Sequence, residues 1–192
     1  MQHGAENEGS RMANAHADPF PGPFPGIAPG VLEIYITHLG RDEARAMDFL
    51  SGVSAGSIIC SGESALPELL LDAVCSGRFR HIHLVTEWAE LLSLLGVAES
   101  ASAAIRLLRE YGMKEGEAAA FRGAPPSDLF PSLYYGKRFD ILKRVCLTAK
   151  RRFESMDCST RIDCHLVSPV IMQVVATSLC DSCIIPKPGK SR

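Results

Sequence analysis

A chain of 192 residues with 46% apolar residues and a formal net charge of −2 has the length of one ordinary domain, which can close a core without disulfides or metal. Seven cysteines, an odd number, and the absence of a basic start followed by an apolar run argue against a secreted disulfide framework; the expectation is an intracellular, cytoplasmic protein. Cut after Ala124, the chain is uneven: 9 basic and 16 acidic residues come before, 11 basic and 6 acidic after, so a positive C-terminal part can meet an acidic or phosphate-bearing partner.

Residues 1–30 are polar and then turn to proline and glycine, with Pro19-Phe20-Pro21-Gly22 nearly repeated as Pro23-Phe24-Pro25-Gly26. This composition predicts an extended, disordered arm. From residue 31 to 124 strand and helix patterns alternate. Val31 to Thr37, Ser57 to Cys60 and His81 to Val85 read as strands. Arg41 to Leu50, Ser64 to Cys75 and a helix capped by Thr86 and stopped at Gly96 follow them in turn. Ser100 to Tyr111 and Lys114 to Phe121 read as further helices, and Arg122 to Leu133, with three prolines, as a loop. In the remaining region, 125–192, which is basic and rich in cysteine and packs on the core, Lys137 to Phe153 is a helix and Ile162 to Val167 a strand. Ser168-Pro169 then looks like the start of a helix running to about Leu179. The order predicts an α/β fold, a small mixed or parallel sheet flanked by helices, with a mostly α fold as the alternative.

Three groups of residues offer chemistry. Cys180 and Cys183 form a Cys-x-x-Cys pair, and with Cys158 and Cys164, or the neighbouring His165, they supply enough thiolate and imidazole for one zinc ion. In a strand, Cys164 and His165 point to opposite faces, which weakens that set. On the helix Lys137 to Phe153, apolar residues gather on one side, while Lys143, Arg144, Lys150, Arg151 and Arg152 gather on the other with Lys137 and Arg138. Such a face suits nucleic acid or an acidic protein surface. The turn Cys60-Ser61-Gly62-Glu63-Ser64 ends a strand and opens a helix, where an α/β enzyme places a nucleophile; Cys60 or Ser64 would serve, with His83, His81 or His38 as base. His81 and His83 fall on one strand face. The uncharged stretch from Cys164 to Cys180 is short for a membrane span and carries Pro169 and several polar residues, so a buried element is expected instead.

The order of a Ser61-Gly62 turn, a helix, the strand at His83-Leu84-Val85 and the Leu-rich helix at Leu91 to Leu95 resembles the second half of a STAS domain, which implies Ser61 as a phosphorylation switch. It spans under a quarter of the chain and lacks the acidic residue that precedes the serine in that family. The sequence thus points to a binding or regulatory protein that engages nucleic acid or an acidic partner through its basic helix, with zinc as a stabilising ion. The alternative is a small acyl- or phosphoryl-transfer enzyme built on Cys60, Ser64 and His83.

Overall fold

A computed structural model describes Phe24 and residues 27–61, 66–121, 123–156, 159–168 and 170–179. Five strands form one mixed sheet in the order β2-β1-β3-β4-β5. The strands are β1 (Glu33–Thr37), β2 (Ile58–Cys60), β3 (His81–Thr86), β4 (Arg161–Ser168) and β5 (Gln173–Thr177). The first four run parallel and β5 closes the edge antiparallel to β4. Seven helices accompany them: α1 (Arg41–Ala46), α2 (Leu66–Cys75), α3 (Trp88–Leu94), α4 (Ala101–Glu110), α5 (Glu115–Ala119), α6 (Leu129–Tyr135) and α7 (Phe139–Glu154).

The register decides what each sheet face carries. Ile34, Ile82 and Ile162 form one row across β1, β3 and β4, and Ile36, Leu84 and Cys164 the next. All six are fully buried in the larger core, which gathers apolar side chains of α2, α3, α4, α6 and α7. On the opposite face the rows are Glu33, His81 and Arg161, then Tyr35, His83 and Asp163, then Thr37, Val85 and His165. Parallel crossovers are right-handed, so the connections that step from β2 to β3 and from β3 to β4 share one face. The step from β1 to β2 goes the other way and falls on the back face. Among the described residues that face therefore receives α1 and the short 3-10 turns at Asp48–Leu50 and Ala55–Ser57, and Met47, Phe49 and Leu50 pack in one cluster with Val85 and Val167. The N-terminal end of the back face is left to polar residues.

Several expectations are corrected. The segment after Ser168 is strand β5, not a helix: Val174, Val175 and Thr177 favour extended backbone. Its ladder also pairs the outer edge of β4, which a helix would leave unbonded. Met172, at φ 51°, lies in the turn before it. The proline-rich stretch read as a loop contains α6, because Pro131 sits in the first turn, where backbone N–H groups have no helical partner anyway. The helix expected over Arg41 to Leu50 breaks at Met47, whose extended backbone turns the chain onto the sheet. Of the N-terminal arm, Phe24 and residues 27–30 are described. Phe24 is buried edge-on against Phe79, ring centres 5.2 Å apart. No helix among the described residues is long and apolar enough to cross a membrane.

Candidate metal centre

Because side chains alternate along a strand, Glu33 and Tyr35 of β1, His81 and His83 of β3, and Asp163 and His165 of β4 all lie on the open end of the back face. Three groups converge on one atom, Glu33 Oε1. His83 Nε2 lies 2.8 Å away, the Tyr35 hydroxyl donates from 3.1 Å, and His81 Nδ1 stands at 4.0 Å. One ligand atom each from Glu33, His81 and His83 lies within 4.8 Å of the others, so the three can hold a metal ion. Ligands about 2.1 Å from a tetrahedral zinc are about 3.4 Å apart, and the 2.8 and 4.0 Å separations straddle that value. Shifts of well under an ångström in the half-exposed Glu33 side chain would equalise them.

The second nitrogen of each imidazole is held from behind. His81 Nε2 donates to Asp163 Oδ2 at 2.8 Å, and His83 Nδ1 is bonded to His165 Nε2 at 2.9 Å. His165 Nδ1 meets the Thr177 hydroxyl of β5 at 3.0 Å. With Nε2 bonded to Asp163, the Nδ1 edge of His81 is left facing the carboxylate oxygen of Glu33, 4.0 Å away, where a bound ion would sit between them. The rings are fixed by stacking: Tyr35 lies on His83 at 4.4 Å and 7°, and Phe49 against His165 at 4.5 Å.

Asp163 is fully buried and is the hub of the charge network. Its Oδ1 accepts from Lys150 Nζ at 2.8 Å and from the Ser178 hydroxyl at 3.3 Å; its Oδ2 accepts from Arg161 Nε at 2.9 Å as well as from His81. Burial alone would raise the Asp163 pKa, but the hydrogen bonds from Lys150 and His81 and the nearby positive charges outweigh it and hold the carboxyl below its ordinary range. Glu33 is likewise held low, its desolvation outweighed by hydrogen bonds from His83 and Tyr35. Burial pushes both inner histidines the other way: His83 is lowered, and His165 falls to about 3, with the neighbouring His83 adding to the effect. Burial and the charge of Glu33 raise Tyr35 to about 12. At neutral pH the site therefore combines the ionised carboxylates of Glu33 and Asp163 with neutral imidazoles at His83 and His165, states that suit metal binding. No buried side-chain nitrogen or oxygen among the described residues lacks a partner.

Of the residues singled out from sequence, those among the described residues do not gather at one place. Of the four cysteines, Cys158, Cys180 and Cys183 lie outside the described residues. Cys164 faces the main core, where its hydrogen bond to Cys146, together with burial, pushes the thiol well above its ordinary pKa. His165 does point to the opposite face, as the strand period requires. Cys60 ends β2 on the back face, and burial raises its thiol even though Arg41 acts against this. Strand β1 separates Cys60 from His83, whose ring nitrogens bond His165 and Glu33, and Ser64 lies outside the described residues. Ser61, the residue of the STAS resemblance, donates its backbone N–H to Thr37 O at 2.8 Å.

On α7, Lys150 is drawn to Asp163 and to Glu154, Arg144 donates to Tyr111 O at 3.3 Å, and Arg152 to Leu95 O at 2.8 Å. Arg151 is exposed, while Lys143 is half-buried. Sequence reasoning passed over Glu33 and Asp163. The signal was present: Glu-x-Tyr, His-x-His and Asp-x-His, at positions 33, 81 and 163, each put two polar groups on one strand face.

No family model matches the chain, and no curated protein or solved structure matches it either. The functional argument rests on the site.

Proposed function

We propose that this protein binds a divalent transition-metal ion, zinc in the first instance, through Glu33, His81 and His83. What carries the reading is that both imidazoles turn one nitrogen to Glu33 Oε1 while a deeper group holds the other: Asp163 behind His81, His165 and Thr177 behind His83. Outer-shell bonds of this kind orient a ligand and set its tautomer. Two imidazoles and a carboxylate are the donor set of zinc sites that keep a fourth position open, in contrast to the closed cysteine-rich sites that only brace a fold.

The chain behind His83 has two consistent proton arrangements. Thr177 Oγ1 accepts from Leu179 N–H at 3.1 Å and can donate its own proton to His165 Nδ1. His165 then donates from Nε2 to His83, and His83 donates from Nε2 to Glu33. An ion on His83 Nε2 needs that lone pair, so the chain reverses: His83 carries its proton on Nδ1, and His165 donates from Nδ1 to Thr177, whose oxygen has two lone pairs to offer.

The basic face of α7 receives less support, since Arg144, Lys150 and Arg152 all have partners within the chain. Elemental analysis and zinc titration calorimetry test the proposal. The parent and a Cys180→Ser/Cys183→Ser variant should each bind one zinc, and a His81→Ala/His83→Ala variant none. Zinc kept by the histidine variant and lost by the cysteine variant would assign the ion to the cysteines and end this reading.

A further inference from the structure

Resting on that metal reading, we infer that the fourth position takes a small oxyanion, a phosphate or carboxylate oxygen, with the Tyr35 hydroxyl as its hydrogen-bond donor. The position is accessible. All three ligands come from two adjacent strands, and the Glu33 side chain is 54% exposed, so an ion held there keeps a solvent side. Charge favours an anion on that side. The carboxylates of Glu33 and Asp163 are offset by the cations of Lys150 and Arg161, both bonded to Asp163. With Glu154, 3.5 Å from Lys150, counted beside those two carboxylates and two cations, a bound divalent ion leaves about one net positive charge at an opening where Glu33 is exposed.

A donor is already in place. The Tyr35 hydroxyl sits 3.1 Å from the ligand oxygen of Glu33, and stacking on His83 fixes its ring, so turning its one proton from Glu33 to an oxygen bound beside it needs only rotation of the hydroxyl. Arg161 shares the cross-strand row of Glu33 and His81 and is 54% exposed on the side chain, adding positive field at the same opening.

The experiment uses the full chain loaded with Co(II), whose visible bands report the ligands of the ion. Co(II) is added first, then inorganic phosphate or sodium acetate. A saturable change in the bands with either anion is expected, and the ratio of the two affinities tells phosphate from carboxylate chemistry. Tyr35→Phe removes an outer-shell bond to Glu33 and so weakens Co(II) binding to some extent, but with Co(II) kept saturating it should weaken anion binding about tenfold beyond that effect, because the hydrogen bond to the charged anion is lost. Arg161→Gln should weaken anion binding by a smaller, salt-dependent factor. Bands that neither anion moves in a Co(II)-loaded protein would overturn the inference and leave the metal reading standing. Anion and Co(II) affinities falling equally in Tyr35→Phe would remove Tyr35 as the donor. Failure to bind Co(II) at all would end both.

Discussion

The most demanding prediction concerns His165, an imidazole sealed into the sheet. It faces His83 and His81 of β3, Asp163 of its own strand with Lys150 of α7 beyond it, Thr177 of β5 and the Phe49 ring. Its pKa is about 3 in the folded chain, against about 6.5 for an exposed histidine. The folded pKa lies below the unfolded one, so as pH falls the unfolded chain takes up this proton first. The stability contributed by neutral His165 is therefore complete above about pH 6.5 and is lost progressively between about 6.5 and 3. At about 1.4 kcal/mol per pH unit, moving from pH 7 to 5 should cost about 2 kcal/mol from this one residue. His83, lowered for the same reason, adds to the loss, while Glu33 and Asp163, both held low, remain ionised at pH 5. Urea unfolding with a chelator present, at pH 7 and 5, for the parent and for His165→Gln, isolates the effect, because each protein serves as its own reference at pH 7. The variant should lose about 2 kcal/mol less than the parent over this interval. Equal losses within about 0.5 kcal/mol would show that the buried neutral imidazole is not the source.

Asp163→Asn keeps the shape of the residue that orients His81 but removes its charge, and zinc affinity should fall about 10- to 100-fold in titration calorimetry. Zinc at about 100 times its dissociation constant should stabilise the folded chain by about 2.7 kcal/mol, a rise of roughly 5–10 °C in melting temperature; in His81→Ala/His83→Ala the rise should vanish. Zinc should also move the His165 proton from Nε2 to Nδ1, which imidazole nitrogen shifts in NMR read directly; an unchanged tautomer would break the proposed relay to Thr177.

How much of this was legible in sequence depends on the range of the interaction. Strands β1 and β3 and helix α7 announce themselves through local period, and the alternation along His81 to Val85 puts both histidines on one face before any fold is known. Strand β5 does not. Val174, Val175 and Thr177 lean toward extended backbone, but Ser168-Pro169 reads as a helix start, and the open edge of β4 that decides between the two is set by tertiary pairing. The site needed register. His83-Leu84-Val85-Thr86 and His165-Leu166-Val167-Ser168 look alike, yet His83 pairs with Asp163 and Val85 with His165. That offset of two residues makes His83 and His165 diagonal neighbours, close enough to bond, and nothing in the local sequence states it. Strand alternation does state one thing locally: Cys164 and His165, adjacent in sequence, lie on opposite faces of the sheet.

Nor is the network explained as a device for holding the sheet together. Removing one member of a buried charged pair costs about 3–5 kcal/mol, because the partner is left unpaired, whereas replacing the whole set with apolar side chains is often neutral or stabilising by about 1–4 kcal/mol. Asp163→Leu strands Lys150 and His81 and should lose about 3 kcal/mol, near the lower end because Lys150 can turn toward Glu154. Adding Lys150→Met and His81→Val to the same chain removes two of the four stranded donors, leaving the exposed Arg161 to solvent and the Ser178 hydroxyl with the Cys164 N–H, and should recover most of that loss, as urea unfolding would show. A triple variant no more stable than Asp163→Leu would mean that the ions themselves fasten β3, β4 and α7, and the metal reading would lose this support. Recovery of stability together with loss of zinc binding would mean that an apolar back face folds at least as well. The carboxylates and imidazoles would then add nothing to stability, as the proposed metal-binding role expects.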